Sequence, residues 1–591
     1  MSTLHDPFKS EIATLAYEAL NDLSKKLNLS LSISILEIYQ TLSTPPTFSL
    51  GQAALPCFPY AKIFKQPPQK IALELSERLN QKTKLFVEHV QSEGAYLNFF
   101  CNFNRLAEHI DNEINNNYYF HKTLLSKPEI EKIVVEYSQP NTHKAMHVGH
   151  LRCLVLGDAV CNLLQYVGHK VVRATFPGDL GNHVAKILWY ITHPTPKALP
   201  TDQKTRWLGQ MYAEADDAFK AAKGTPLETE IKKDMSEILA QLSNASGMYY
   251  ELWKKTREWS LDELKAIYSW LNSYFDAWYF ESECEKPSIQ LVQKKYEEGF
   301  FVKDNGAIGI DLSQWKLGFA MLLKSDGNGL YLTKDIDLIM RKFSDPEVTK
   351  SIYIVDSRQK LHFQQLFKIA ELMGYPQAAK SSHLSYETVN TEDGKPFSSR
   401  QLNGLQLTDL KDKMEEKVKV DYLQRYRGNW LDEDITRTAE NITIGALKYG
   451  MLRVDNTTQI NFSLTEWLKL DGETGPYLQY VHARCSSIIE KIGIPANKIE
   501  FCLTEGYEKE LLFLLSRFHD HVLLAAQQYR PSLIATYLYD LAKSFNRFYE
   551  NCPIRSAEHN AKQSRLKLVK ITQAIIQQGL KLLGIPAPQK M

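Results

Sequence analysis

Two imidazoles flank a glycine in the stretch Lys144-Ala-Met-His147-Val-Gly149-His150. An apolar run at helical spacing follows directly, so the stretch should lie at a helix N-terminus. Helix N-termini favour phosphate charge, and His147 and His150 can donate hydrogen bonds to an α-phosphate during its displacement. Because Gly149 has no side chain, a nucleotide base can approach the backbone there. Histidines that only cap a helix give the same motif, but its context after a strand and before a helix favours nucleotide binding.

A second loop carries a lysine and two hydroxyls in Asp393-Gly394-Lys395-Pro-Phe-Ser398-Ser399-Arg400. The charge of Lys395 and hydrogen bonds from Ser398 and Ser399 can hold the pyrophosphate end of ATP. The chain contains no Gly-x-x-x-x-Gly-Lys-Ser/Thr loop, which excludes a Walker-type phosphate cradle. An ordinary polar Gly/Pro turn has the same composition, so the loop alone does not decide its role.

Two strand–helix–strand units position these loops. Each combines a strand run, an amphipathic helix and a second strand run, at residues 132–138, 151–167 and 171–176 and again at 351–355, 361–373 and 383–389. Such units form parallel sheets, which bind ligands at the carboxyl ends of their strands. The predicted fold class is α/β: a doubly wound, Rossmann-like catalytic domain with an α+β domain before it and an all-α bundle after it.

Changes of pattern along the chain predict four segments. Residues 1–122 form the N-terminal domain. Residues 123–404 form the catalytic domain, which a mostly helical insertion divides at about 195–300. A helical connector at 405–460 leads to an all-helical domain at 461–591. Several domains are expected because a chain of 591 residues is too long for one hydrophobic core.

Charge is distributed unevenly along the chain. Lysine and arginine total 70 against 69 acids, and this net charge of +1 does not by itself indicate a nucleic-acid partner. Residues 551–591 contain a cluster of basic side chains. Such a cluster can contact phosphates or can be a solvated helix face, and both interpretations stay open. This cluster contains one acid, Glu558, and the bases Arg555, Lys562, Arg565, Lys567, Lys570, Lys581 and Lys590.

Composition argues against several other classes. No apolar run approaches the roughly 18 residues of a membrane helix, and the N-terminus has no basic segment leading into an apolar one. The eight cysteines are scattered without a Cys-x-x-Cys pair, which argues against a structural zinc and against a disulfide framework. We therefore expect a cytoplasmic protein that binds no membrane.

Several motifs together resemble arginyl-tRNA synthetases, class I aminoacyl-tRNA synthetases, of the bacterial type. The similarity runs from about residue 90 to the last residue. The catalytic motifs are Val135-Glu-Tyr-Ser-Gln-Pro-Asn-Thr-His-Lys-Ala-Met-His-Val-Gly-His-Leu-Arg152, Gly178-Asp-Leu-Gly181, Leu330-Tyr-Leu-Thr-Lys-Asp335 and Val355-Asp-Ser-Arg-Gln-Lys-Leu-His362. The motifs similar to a helical anticodon-binding domain are Gly472-Glu-Thr-Gly-Pro-Tyr-Leu-Gln-Tyr-Val-His-Ala-Arg484, Ala542-Lys-Ser-Phe-Asn-Arg-Phe-Tyr549 and the terminal Met591.

The resemblance implies an acidic pocket for the arginine guanidinium, formed by Glu136 and Asp335 with Tyr331 beside them. Carboxylates suit a planar, permanently charged cation because they accept paired hydrogen bonds. Asp335 also fits a plain structural interpretation. It follows Thr333, so it would be an acid that the dipole favours in the first turn of a helix.

The resemblance assigns the remaining catalytic positions as well. Ser398 replaces the second lysine of the usual class I loop, and Lys144 is expected to supply that positive charge from the other loop. Asn141 and Gln359 would hold the α-amino and carboxylate groups of arginine. The residues expected to bind ATP are His147, Gly149, His150, His362, Lys395, Ser398 and Ser399, and those expected to act in catalysis are His147, His150, Lys144 and Lys395.

Both ends of the chain are expected to contact tRNA. Tyr96 and Asn98 resemble the module that inspects the tRNA elbow, where a ring can stack on a base and an amide can read its edge. A buried tyrosine on an edge strand is the alternative. Tyr549 and Met591 match anticodon contacts in the family.

The implied protein is an arginine–tRNA ligase. It would activate L-arginine with ATP and Mg²⁺, release pyrophosphate, and transfer arginine to the terminal ribose of tRNA(Arg), acting as a monomer. Another class I synthetase is one alternative, although the scattered cysteines offer no zinc ligands of the cysteinyl type. A non-catalytic tRNA-binding relative is the other, against which both phosphate loops are intact.

Overall fold

The computed structural model describes residues 5–395 and 406–591. Its N-terminal region is a three-stranded antiparallel sheet in the order β1-β3-β2, with helices packed against it. Leu97 and Phe99 of the central strand are fully buried in the core beneath those helices. The elements are α1 (Pro7–Lys26), α2 (Ile35–Thr41), β1 (Ala53–Pro56), α3 (Phe58–Phe64), α4 (Pro68–Asn80), β2 (Val87–Glu93), β3 (Tyr96–Cys101) and α5 (Phe103–Asn115).

The central region contains a five-stranded parallel sheet in the order β11-β10-β4-β5-β6. The strands of this sheet are β4 (Lys132–Glu136), β5 (Lys170–Thr175), β6 (Ala277–Trp278), β10 (Val348–Asp356) and β11 (Ser382–Tyr386). The helices of the region are α6 (Val148–Val167), α7 (Asn182–Thr192), α8 (Lys204–Ala222), α9 (Pro226–Ser243), α10 (Met248–Trp270), α11 (Glu281–Glu297), α12 (Tyr331–Phe343) and α13 (Lys360–Leu372). Both predicted units are present, which confirms the α/β fold class.

Two further features of this region had no counterpart in the sequence analysis. A small antiparallel sheet follows the helical insertion; its strands are β7 (Val302–Asp304), β8 (Ala307–Asp311) and β9 (Phe319–Leu323). A short parallel pair joins β12 (Val389–Asn390) to β13 (Ile460–Asn461) across the catalytic and C-terminal parts of the chain. The strands have only two to five residues, which is too short for their hydrophobic pattern to identify them in the sequence.

The C-terminal region is helical apart from β13, as predicted. Its helices are α14 (Leu407–Val418), α15 (Asp432–Leu452), α16 (Leu464–Trp467), α17 (Gly475–Ile492), α18 (Gly506–Ser516), α19 (Phe518–Gln528), α20 (Ser532–Asn551) and α21 (His559–Leu582). In the parts of the chain that the structure describes, no helix is long and apolar enough to span a membrane.

Two residues of the basic cluster at residues 551–591 are buried inside the protein. Arg565 and Lys567 are buried and form ion pairs with Glu508 at 2.6 Å and with Asp111 at 2.7 Å. The second pair joins α21 to α5 of the N-terminal region. Part of the cluster is therefore internal structure, and neither a phosphate contact nor a solvated face describes all of it.

Candidate active site

The two histidines of the first loop lie at the start of α6, at the carboxyl end of β4. His147 is the N-cap, and its Nδ1 accepts a hydrogen bond of 3.0 Å from the backbone N–H of Gly149. His150 Nδ1 accepts one of 3.2 Å from the backbone N–H of His147, and the ring centroids are 3.9 Å apart. Because Nδ1 accepts in both rings, a neutral imidazole carries its proton on Nε2, which is then free to donate to a phosphate.

Both rings are held in the neutral form. Burial lowers the pKa of His147 to about 4 and that of His150 to about 3, and the neighbouring Lys144 acts in the same direction on His150. The Gly149 Cβ position lies 2.8 Å from the His147 ring, so a side chain would collide with the cap itself. This gives the glycine a structural reason beyond the predicted approach of a base.

The neighbouring His143 was not identified in the sequence. It is fully buried and its ring hydrogen-bonds the Thr142 and Thr256 hydroxyls at 2.9 and 2.8 Å. Thr256 belongs to α10, so this histidine fastens the loop to the helical insertion. Lys144 follows directly, and its ammonium lies 4.7 Å from the ring centre of Tyr212 on α8.

Two residues at the start of the next described segment contact the first loop. Gln406 pairs with His147 as an antiparallel bridge, and the Leu407 N–H donates to the Met146 carbonyl at 2.9 Å. Lys395, of the second loop, is exposed and forms an ion pair of 3.0 Å with Asp393. The predicted Ser398 and Ser399 lie outside the described residues.

A cleft of about 940 Å³ opens beside the first loop, between the insertion and the α11–α12 layer. Three predicted substrate residues line it: Asn141, Lys144 and Tyr331, whose side chain is 75% exposed. A Cβ on Gly178 would lie 2.4 Å from the Asn141 amide oxygen, so the glycine makes room for that amide. The cleft is therefore wide enough for a substrate of the predicted size.

Neither predicted acid is among the residues that line this cleft; Asp335 directly follows Lys334, which does line it, and both acids have protein partners. Glu136 is buried; it accepts from the Lys342 ammonium and, at 3.2 Å, from the Gln139 amide. Asp335 hydrogen-bonds the His362 ring at 2.5 Å. Helix α12 begins at Tyr331 and has no acid in its first turn. The alternative of a first-turn acid for Asp335 is therefore wrong, because a dipole effect weakens beyond that turn.

Gln359 lies one turn before His362, at the end of a short 3-10 helix, and is exposed. The structure therefore brings Asp335 and His362 into contact and places Asn141, Lys144 and Tyr331 on one cleft. The contacts of all the predicted site residues with a substrate, including those of Gln359 and Lys395, stay predictions.

A second cleft, of about 610 Å³, lies in the C-terminal region and is lined by both predicted anticodon contacts, Tyr549 and Met591. The Arg484 guanidinium lies 4.5 Å from the ring centre of Tyr549. Arg555 and Lys590 also line this cleft, so these two members of the basic cluster face a cavity.

The two predicted tRNA-elbow residues, Tyr96 and Asn98, differ in how far they are exposed. Tyr96 is 42% exposed and packs edge-on against Phe58, itself 52% exposed, with ring centroids 5.5 Å apart. Asn98 is 6% exposed, on the same strand. The alternative of a buried tyrosine is therefore wrong for Tyr96, which can stack on a base, whereas Asn98 has little surface to offer one.

Comparison with known families agrees with this arrangement. Residues 71–464 match the family described as tRNA synthetases class I (R), catalytic domain. Residues 10–101 match the arginyl tRNA synthetase N terminal domain, and residues 478–591 match the DALR anticodon binding domain. The chain belongs to the arginyl-tRNA synthetases.

Relatives of this synthetase match it along nearly its whole length. The arginine–tRNA ligase of Bdellovibrio bacteriovorus is 43% identical over 583 residues, 98% of this chain and 99% of the relative. That of Clostridioides difficile is 30% identical over 588 residues, 99% and 100% of the two chains. The solved arginyl-tRNA synthetase of Thermus thermophilus superposes with a TM-score of 0.79 at 26% identity, covering 97% of this chain and 99% of that one.

The synthetase is thus an arginine–tRNA ligase of class I, which charges tRNA with arginine and uses ATP. Its site contains residues that the sequence analysis missed. Lys342 lies seven residues after Asp335 on α12, two helical turns along the same face, and this spacing was the available signal. Glu281 and Lys334, 3.5 Å apart in the cleft, had no comparable signal because Glu281 lies outside the recognised motifs.

Proposed function

We propose specific roles for the residues of the catalytic cleft. The carboxylate of arginine attacks the α-phosphorus of ATP, the bond to the β-phosphate oxygen breaks, and arginyl-adenylate and pyrophosphate form. His147 and His150 donate hydrogen bonds to the α-phosphate as its charge grows. Lys144 and Lys395 stabilise the phosphates, His362 lies beside ATP, and the chemistry needs no protein nucleophile.

Recognition of arginine depends on the acidic residues. Asp335 and Glu136 take the guanidinium with Tyr331 beside it, while Asn141 and Gln359 hold the α-amino and carboxylate groups. The observation that supports this proposal is that Tyr331 and Lys334, the latter directly before Asp335 on α12, line the same cleft as Asn141 and Lys144. A guanidinium in that position meets carboxylates of suitable geometry.

In the second step a hydroxyl of the terminal tRNA ribose attacks the carbonyl of the adenylate. An ester forms, AMP leaves and the hydroxyl proton is released. Tyr96 contacts the tRNA elbow, with the buried Asn98 beside it on β3, and Tyr549 and Met591 contact the anticodon. Mg²⁺ enters with the phosphates of ATP as part of the substrate. The residues described contain no group of three His, Cys, Asp or Glu side chains that could hold a metal of their own.

The proposal extends to organisation and location. The domains follow the predicted divisions at residues 1–122, 123–404, 405–460 and 461–591, and the enzyme works as a cytoplasmic monomer on tRNA(Arg). A sedimentation experiment on the purified chain should give the mass of one copy, 67.9 kDa. A sedimenting mass of twice that value would contradict the monomer.

ATP–pyrophosphate exchange tests the catalytic roles. Each amino acid is supplied in turn, with and without total tRNA. We expect exchange with arginine alone among the amino acids, and stronger exchange when tRNA is present. Exchange with arginine that is unaffected in variants of Asp335 and Glu136 would contradict the assigned pocket while leaving the enzyme class in place.

A further inference from the structure

Lys342 has an unusual environment for a lysine. Its side chain is completely buried on α12, and its ammonium donates to Glu136 Oε2. It also lies 3.8 Å from the ring centre of Tyr353. Tyr353 is the cross-strand neighbour of Glu136, because β10 and β4 pair there. The lysine therefore contacts β4 at its carboxyl end, where ligands of open sheets bind, and the neighbouring strand β10 beside it.

The acids around it form a small cluster. The Glu136 and Asp335 carboxylates both act electrostatically on Lys342, and both oppose the lowering of its pKa by burial. Asp335 likewise acts on Glu281. Two of these three acids have a lysine partner, since Lys342 pairs with Glu136 and Lys334 lies 3.5 Å from Glu281. Asp335 hydrogen-bonds an imidazole instead.

These ion pairs determine which carboxylate oxygens of the cluster are available to bind a cation. A buried carboxylate without a partner would take up a proton or rotate toward water, because an isolated charge is costly to bury. Glu136 accepts one hydrogen bond at each oxygen, from Lys342 and from Gln139. A carboxylate has about four lone-pair sites, so about two stay available for a guanidinium.

We propose that Lys342 is a positioning residue for arginine: its ammonium holds the Glu136 carboxylate in place by their ion pair, and leaves Asp335 as the carboxylate whose charge the guanidinium neutralises. The inference rests on the proposed guanidinium site at Glu136 and Asp335. The side chain of Lys342 has no exposed surface, whereas that of Glu136 keeps 4%, so Lys342 acts on the substrate through Glu136.

The test compares Michaelis constants in arginine-dependent ATP–pyrophosphate exchange, with tRNA present. Lys342→Met keeps the length of the side chain and removes its charge. We expect the KM for arginine to rise ~10-fold or more, as for loss of a charge-assisted contact, while the KM for ATP changes less than about twofold. An unchanged or lower KM for arginine in the folded variant would overturn the proposal.

The chain offers a matched control. Lys448 is also a fully buried lysine paired with a buried acid, at 2.9 Å from Asp158, and it lies on α15. Lys448→Met should lower thermal stability comparably and leave the KM for arginine relative to that for ATP unchanged. If Lys448→Met raises the KM for arginine as much as Lys342→Met, the effect is general destabilisation and the proposal fails.

A double variant separates this inference from the proposed function. In a Glu136→Gln background, the Lys342→Met change should add little to the KM for arginine, because the carboxylate through which it acts is gone. If Glu136→Gln leaves that KM at its original value, the proposed site is wrong. If Glu136→Gln raises it and Lys342→Met does not, only the inference fails. Should Lys342→Met not fold, Lys342→Gln, which keeps a donor but no charge, is judged by the same criterion.

Discussion

The two clefts of this synthetase differ in how far their charged groups are exposed. Around the catalytic cleft, charged and titratable groups have partners within the protein: His147 caps α6, Glu136 binds Lys342 and Asp335 binds His362. In the C-terminal cleft, Arg484 is held by the Tyr549 ring and by Asn546, whereas Arg555 and Lys590 line the cavity and are exposed.

The difference follows from what each cleft must recognise. A transition state at phosphorus requires donors fixed before the reaction begins, because their reorganisation would otherwise add to the barrier. Single-stranded bases are held by stacking and by cations that follow the backbone, and this needs exposed groups more than fixed ones. Substitutions should therefore affect the rate of activation in the first cleft and tRNA affinity in the second.

The largest effect is expected at His150. His150→Ala removes a donor to the α-phosphate and should lower arginine-dependent pyrophosphate exchange ~10²-fold or more, with the fold intact. Circular dichroism monitors the fold, and exchange kinetics measure the rate.

His521→Ala is the matched control for that experiment. His521 is a half-buried histidine on α19 whose pKa burial lowers to about 4, so it resembles His150 in environment but lies in the C-terminal region. Its loss should leave exchange within about twofold of the original rate, as for a residue outside the transition state. A folded His150→Ala variant with full exchange activity would remove His150 from the mechanism.

Asp335→Ala should have the next largest effect, on the KM for arginine. Loss of a charge-assisted contact predicts an increase of roughly 10- to 100-fold. Asp337→Ala is the control, because Asp337 is a half-buried acid two residues further along α12 that pairs with Arg341 at 2.5 Å. Equal KM values for the two variants would mean that Asp335 has no special contact with arginine.

The sequence predicted the sheet, the helix at His147 and the candidate residues, because hydrophobic periodicity and the motifs lie in contiguous segments. It did not predict which acids already have partners. Lys342 and Glu136 are far apart in the chain and meet only because α12 packs over β4 and β10. The exposure of a side chain also depends on which elements pack against it. The order of residues along β3 therefore did not predict that Tyr96 is exposed and Asn98 buried.

A smaller effect is expected in the C-terminal cleft. Tyr549→Ala removes a stacking surface and should raise the KM for tRNA by about 5- to 100-fold, without raising the KM for arginine. Tyr539→Ala is closely matched, since Tyr539 is a half-buried tyrosine on the same helix with the Lys543 ammonium 5.0 Å from its ring centre. If both variants bind tRNA equally well, the contrast between the clefts is not supported at this position.

The smallest expected effect is on the pH dependence of stability, and it compares His150 with a buried histidine of the C-terminal region. The pKa of His150 is lowered from its ordinary 6.5 to about 3, so between these values the unfolded chain binds a proton there that the folded chain does not. The stability that this contributes is complete above pH 6.5 and is lost as the pH falls toward about 3. Moving from about pH 7.5 to about pH 5.5 should therefore cost the original protein ~1 kcal/mol more than the His150→Gln variant. Denaturant unfolding of both proteins at the two pH values measures the difference.

His519 on α19 is the matched control, because its pKa is also lowered to about 3. The same change of pH should cost the original protein more stability than the His519→Gln variant, by a similar amount. The two variants then differ in exchange activity alone, which separates the burial of a neutral imidazole from its use as a donor.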